Sequence, residues 1–148
     1  MKIHFICTGN SYRSRLAEAY LNSKQINGIE AFSSGTGIDK RNGPIGWPAE
    51  RILQKTGLSL FMSPSSIQTT KKLLDSGDFT VFMDESHFKY AERLGFSAKN
   101  YEIWEIPDFS LEIIEDFKGY DRDIEFMKIS ENTFKVIKEK VDELVKKL

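Results

Sequence analysis

Eight consecutive residues constrain this chain more than any other part of it: Cys7-Thr8-Gly9-Asn10-Ser11-Tyr12-Arg13-Ser14, set between an apolar run, Ile3 to Ile6, and a helix-forming stretch. A strand, a short loop and a helix in that order make the loop turn over a helix N-terminus. Several backbone N–H groups converge there, and with the helix dipole they bind a tetrahedral oxyanion. A cysteine at the start of such a loop lies in that positive field, which favours thiolate over thiol. Arg13 can add two parallel hydrogen bonds to phosphate oxygens. Gly9 lets the backbone approach the anion, Asn10 can lock the loop through its side chain, and the Ser14 hydroxyl is placed to stabilise the sulfur as a leaving group. Thr8 to Ser14 is the expected phosphate-binding segment.

The rest of the chain alternates strands and helices. Ile3 to Ile6 reads as a buried strand and Ser14 to about Ser23 as a helix with Leu16, Ala19 and Tyr20 toward the core. A second strand is expected over Glu30 to Ser33, and a helix from about Pro48 to Thr56, with Gly57 as its stop. Ser63-Pro64-Ser65 predicts a helix over Ser66 to Leu74, followed by a strand from Phe79 to Met83 and a helix opened by Asp84-Glu85-Ser86. Tyr101 to Trp104 is the fourth strand, and a long helix over roughly Ile124 to Lys147 puts Ile137, Val141, Leu144 and Leu148 on one stripe. The alternation implies a single α/β domain over residues 1–148, with a parallel sheet covered by helices. Ligands of such sheets bind beyond the strand C-termini, which is where the Cys7 loop falls.

The 148 residues suffice for one core without metal or disulfides. With 21 Lys and Arg against 22 Asp and Glu, mixed along the chain, there is no basic field of the kind nucleic acid needs. Cys7 is the single cysteine, which excludes an intramolecular disulfide and points to the cytoplasm, and no apolar run reaches membrane-spanning length. One cysteine and two histidines give no metal-binding cluster. His4, alternating with core residues, reads as a structural histidine, and His87 as a helix-surface residue. The lysines and acids of the last helix read as a solvated face.

Phe5 to Ser14, with Ala17-Glu18 following, resembles the signature of the low-molecular-weight protein tyrosine phosphatase family, which includes thioredoxin-coupled arsenate reductases. Ser33-Ser34-Gly35-Thr36 and Phe82-Met83-Asp84-Glu85-Ser86 are similar to further family segments. The resemblance implies a four-stranded parallel sheet flanked by helices on both faces. It also implies cofactor-free and metal-free hydrolysis of a phosphorylated protein or small phosphoester, with Cys7 as nucleophile, Arg13 as phosphate ligand and an aspartate from a later loop as general acid. Ser33, Asn10 and Glu18 match positions that help fix the loop in the reductase branch.

This chain departs from the family pattern in three places. Tyr12 stands where many members have a second loop cysteine, so a protective disulfide cannot form, and Arg15 replaces the usual proline, placing another cation near the mouth. The usual Asp-Pro is absent. Asp108 is the expected acid, by its spacing from Trp104 and the stiffening effect of Pro107; Asp116, within a segment that reads as a short helix over residues 111–117, is the alternative. Tyr12, Trp47 and Phe109 can wall a pocket for an aromatic leaving group. Two other functions stay open: an arsenate reductase drawing on an external thiol, and a phosphate-recognising module without catalysis.

Overall fold

The computed structural model describes residues 1–39, 41, 43–97, 100–109 and 115–148. Strand-type alternation in the opening residues decides its centre. β1 (Lys2–Cys7) sends Ile3, Phe5 and Cys7 to one face and His4 and Ile6 to the other, and all five are buried. A strand covered on both faces belongs inside a parallel sheet. It pairs in parallel with β2 (Glu30–Gly35) on one side and β3 (Phe79–Phe82) on the other, and β4 (Tyr101–Ile103) adds to β3. The order is β2-β1-β3-β4. The chain leaves β1 toward β2 and then returns past it to β3, so a crevice opens at the C-terminal ends of β1 and β3, where the winding direction reverses.

Three helices cover the first face: α1 (Arg13–Ser23), α2 (Trp47–Thr56) and α5 (Gly119–Lys147). Leu16 and Ala19 of α1, Ile52 and Leu53 of α2, and Phe134, Ile137, Val141 and Leu144 of α5 meet Ile3, Phe5 and Val81 there in one apolar cluster. Truncating a residue packed as fully as Leu16 costs about 2–5 kcal/mol. The second face carries α3 (Lys71–Ser76) and α4 (Glu85–Arg93), whose Leu74 and Ala91 pack on Ile6 and Phe82. The expected single α/β unit with four parallel strands and helices on both faces is the observed architecture.

Several boundaries differ from the sequence reading. No helix runs over Ser66 to Thr70; instead Gly35 N–H donates to Ile67 O at 2.9 Å, and Thr69 N–H donates to Gly35 O at 2.7 Å. That segment is drawn alongside β2, and Thr70 then caps α3 by accepting from Leu73 N–H. A 3-10 turn over Ser59–Phe61 follows α2, which ends at Gly57 in the left-handed conformation, φ 74°. α5 begins at Gly119, earlier than expected, while Leu148 lies beyond its end and is exposed. Of the short helix expected over residues 111–117, residues 111–114 lie outside the described part of the chain.

Candidate active site

The loop after β1 closes over the first turn of α1, and the sequence leaves that turn open. Tyr12 occupies the N-cap without a capping side-chain hydrogen bond, and the first turn holds no acid. The free N–H groups of the turn therefore remain available to an anion. Cys7, Thr8, Gly9, Ser11, Tyr12 and Arg13 line a cleft of about 230 Å³, completed by Gly37, Asp39 and Asp108. Asn10 is the loop residue with a left-handed backbone, φ 49°, a conformation that asparagine tolerates better than most. Gly9 needs no such conformation; a Cβ there would meet only Ser11 Oγ, at 3.3 Å. The close approach falls at Gly35 instead. A Cβ on Gly35 would lie 2.5 Å from Thr8 O and 2.8 Å from Asn10 N, so only glycine lets β2 run beneath the loop.

Behind the cleft, one chain of hydrogen bonds has its direction fixed by donor counting. The Asn10 amide donates both protons, to Ser14 Oγ at 2.8 Å and to Ser33 Oγ at 2.9 Å. Its carbonyl accepts from Ile67 N–H at 2.9 Å. Ser33 passes its own proton to Glu18 Oε2 at 3.1 Å. Ser14 Oγ, already accepting from Asn10, lies 2.9 Å from Cys7 Sγ and is left with its proton for the sulfur.

Arg13 is 1 % exposed, and its two terminal nitrogens have different duties. Nη1 donates to Ile106 O at 2.8 Å and to Asp84 Oδ2 at 3.2 Å, which fixes the plane of the guanidinium. Nη2 reaches Asp108 Oδ2 and Thr8 Oγ1, each at 3.5 Å, on the cleft side. Burial pushes the Asp84 carboxyl up, but Ser86, His87 and Arg13 together outweigh it and hold it below the ordinary carboxylate range. Asp108 is thus brought to the cleft and to Arg13, whereas Asp116 is exposed and lines no part of it.

Two residues lie elsewhere than expected. Arg15 is not at the mouth: it is fully buried behind the loop, its Nη1 3.5 Å from Glu18 Oε2 and its Nη2 donating to Pro44 O at 3.2 Å. Desolvation lowers its guanidinium from the ordinary value, against the pull of Glu18. His87 is not on the helix surface but buried at the N-terminus of α4, with Nε2 2.8 Å from Thr8 Oγ1. His4 is also buried; it stacks on Phe32 and shares a hydrogen bond with Ser34 Oγ at 2.7 Å. Among the described residues, no group of three or more His, Cys, Asp or Glu is gathered to hold a metal ion.

Beside the cleft lies a second hollow of about 420 Å³, sharing Ser11, Tyr12 and Asp108 with it and walled by Trp47, Phe109 and Phe126. Phe109 stacks on Phe126 with centroids 3.6 Å apart, and Trp47 meets Phe126 edge-on at 5.3 Å. Tyr12, Trp47 and Phe109 were legible as pocket residues; Phe126 was not, because it sits on the part of α5 where the stripe fades into charge.

A doubly wound parallel sheet with an open helix N-terminus and a cysteine at its switch point defines a small α/β protein built to hold an oxyanion beside a sulfur. Residues 2–148 match the family described as "Low molecular weight phosphotyrosine protein phosphatase", and the chain belongs to that family. A protein-arginine-phosphatase of Geobacillus stearothermophilus is 30 % identical over 86 residues, a stretch covering 58 % of this chain and 56 % of that protein. The crystal structure of YfkJ from Bacillus subtilis aligns with a TM-score of 0.73 at 25 % identity, covering 99 % of this chain and 93 % of that one. A low molecular weight protein tyrosine phosphatase from T. tengcongensis shares the fold with a TM-score of 0.77 at 21 % identity, covering 100 % and 99 % of the two chains.

Proposed function

We propose that the protein hydrolyses phosphotyrosine in cytoplasmic protein substrates through a phosphocysteine intermediate. The supporting observation is the Cys7 sulfur lining the anion cleft, 2.9 Å from a Ser14 hydroxyl that already accepts from Asn10 and so has its proton to give. The thiolate attacks phosphorus and the bond to the leaving oxygen breaks, while Asp108 gives that oxygen its proton. Arg13 and the loop amides of Thr8 to Ser14 hold the equatorial oxygens through the transition state. Asp108, now ionised, then takes a proton from water as the water oxygen attacks phosphorus. The S–P bond breaks and phosphate leaves with the thiolate restored. The adjoining aromatic hollow favours a phenolic leaving group, which stacks between such rings.

A second substrate is favoured by one observation: the Geobacillus stearothermophilus relative is described as a protein-arginine-phosphatase. Arsenate reduction would require a thiol from another molecule, since Cys7 is the only cysteine. Parallel assays with phosphotyrosine and phosphoarginine peptides, using wild type and Cys7→Ser, test the proposal. Cys7→Ser is expected to abolish turnover while still binding phosphate or vanadate. Full activity of that variant would end the nucleophile assignment, and faster turnover of phosphoarginine would end the substrate assignment.

A further inference from the structure

The side chains of His87 and Thr8 form a pair that the reaction steps above leave unused, and the protons of this pair can be counted. His87 is 1 % exposed and sits at the third position of α4. Its Nδ1 accepts the N–H of Asp84, the N-cap residue, at 3.1 Å, which closes a capping box. An acceptor at Nδ1 leaves the ring proton of a neutral imidazole on Nε2. Nε2 therefore donates to Thr8 Oγ1 at 2.8 Å. Arg13 Nη2, 3.5 Å away, points its proton at the same oxygen. A hydroxyl has two lone pairs and one proton; with both lone pairs engaged, only its proton remains to be placed. Thr8 is an exposed residue on the wall of the cleft, beside the face of Arg13 that reaches Asp108.

We propose that Thr8 contributes its hydroxyl as well as its backbone to catalysis, donating to the phosphoryl oxygen that Arg13 Nη2 also holds, and that His87 is the positioning residue that aims it. The inference rests on the phosphatase reading and adds a side-chain donor to the anion cradle. The helix cap thereby acts on the reaction: Asp84 orients Arg13 and starts α4, and α4 presents the imidazole that orients Thr8. Burial lowers His87 to about 4, so the neutral, donating form persists throughout the neutral range.

The experiment compares wild type, Thr8→Val, Thr8→Ser, His87→Leu and the Thr8→Val/His87→Leu double variant on an aryl phosphate. Loss of one preorganised donor lowers kcat about a hundredfold in comparable sites, and that is the effect expected of Thr8→Val, with KM little changed. Inhibition by vanadate, which resembles the transition state, should weaken with it. Thr8→Ser should restore most of kcat. His87→Leu should slow the wild-type enzyme but add nothing in the Thr8→Val background, because the imidazole acts only through the hydroxyl. If His87→Leu fails to fold, the two Thr8 variants decide the matter. A Thr8→Val enzyme with wild-type kcat, or penalties that multiply in the double variant, would overturn the inference and leave the phosphatase intact. A wild type without aryl phosphatase activity would instead overturn the underlying function.

Discussion

Ser14 Oγ stands 2.9 Å from Cys7 Sγ and takes its own hydrogen bond from Asn10 at 2.8 Å, so the serine proton is committed to the sulfur. Ser14→Ala should lower kcat by roughly 100-fold, the scale of one preorganised donor, while phosphate still binds. Steady-state kinetics with an aryl phosphate measure this directly; an unchanged kcat would mean that the sulfur does not need the serine.

Asp108 and Asp116 separate cleanly by substitution. Asp108→Asn is expected to lose about 10²–10⁴ in kcat, more severely with phenyl phosphate than with a substrate whose leaving group departs without a proton. Asp116→Asn should keep wild-type rates, because that carboxylate lines no part of the cleft. The opposite pattern would move the acid to the later position.

Gly35→Ala introduces a methyl group 2.5 Å from Thr8 O, inside the contact limit of two backbones. The loop or β2 must shift, and a loss of about 1–3 kcal/mol in urea unfolding is expected together with reduced kcat. Wild-type stability and activity in this variant would show that the loop tolerates displacement.

Glu18 accepts from Ser33 and Ser63 and faces the buried Arg15 at 3.5 Å. Glu18→Ala leaves that guanidinium uncompensated, at a cost of about 3–5 kcal/mol. Denaturant midpoints of the single variant and of Glu18→Ala with Arg15→Met distinguish the causes. Recovery in the pair would identify the stranded charge as the reason.

Acid should weaken the fold through the histidines. Burial lowers His4 to about 3 and His87 to about 4, against 6.5 when unfolded. Below pH 6.5 the unfolded chain binds protons that the folded chain refuses, so stability falls as pH drops from 6.5 toward 4, and the slope fades below about 3. Melting temperatures across this range should decline, and imidazole NMR signals should stay fixed between pH 5 and 8; a folded-state histidine titrating near 6.5 would contradict both.

The strand, loop and helix at residues 3–23 were legible in the sequence because local pattern and final environment agree there: β1 is apolar, Asn10 tolerates its left-handed turn, and α1 follows at once. Where tertiary contacts decide, the sequence misled. Ser66 to Thr70 reads as helix but pairs with Gly35, whose lack of a side chain gives no local signal of that partner. Arg15 reads as a cation near the mouth until Glu18, three residues on, is seen to meet it inside. His87 was misplaced because its partner, Thr8, lies 79 positions away, although an N-cap aspartate three residues earlier was itself a visible cue. The acid was narrowed by spacing, and the contact of Asp108 with Arg13 required the fold.

α5 touches the Asp108 loop from both of its ends. Near its start, Phe126 stacks on Phe109, the neighbour of Asp108. At its finish, Lys147 binds Glu102 at 2.9 Å, and Glu102 in turn holds the indole of Trp104, four residues before that aspartate. Twenty-nine residues of helix thus splint a segment that would otherwise hang from a three-residue strand. Clipping the last turn of the chain, or loading it with a fusion, will release Glu102 and so register six residues further on as a slackened Asp108.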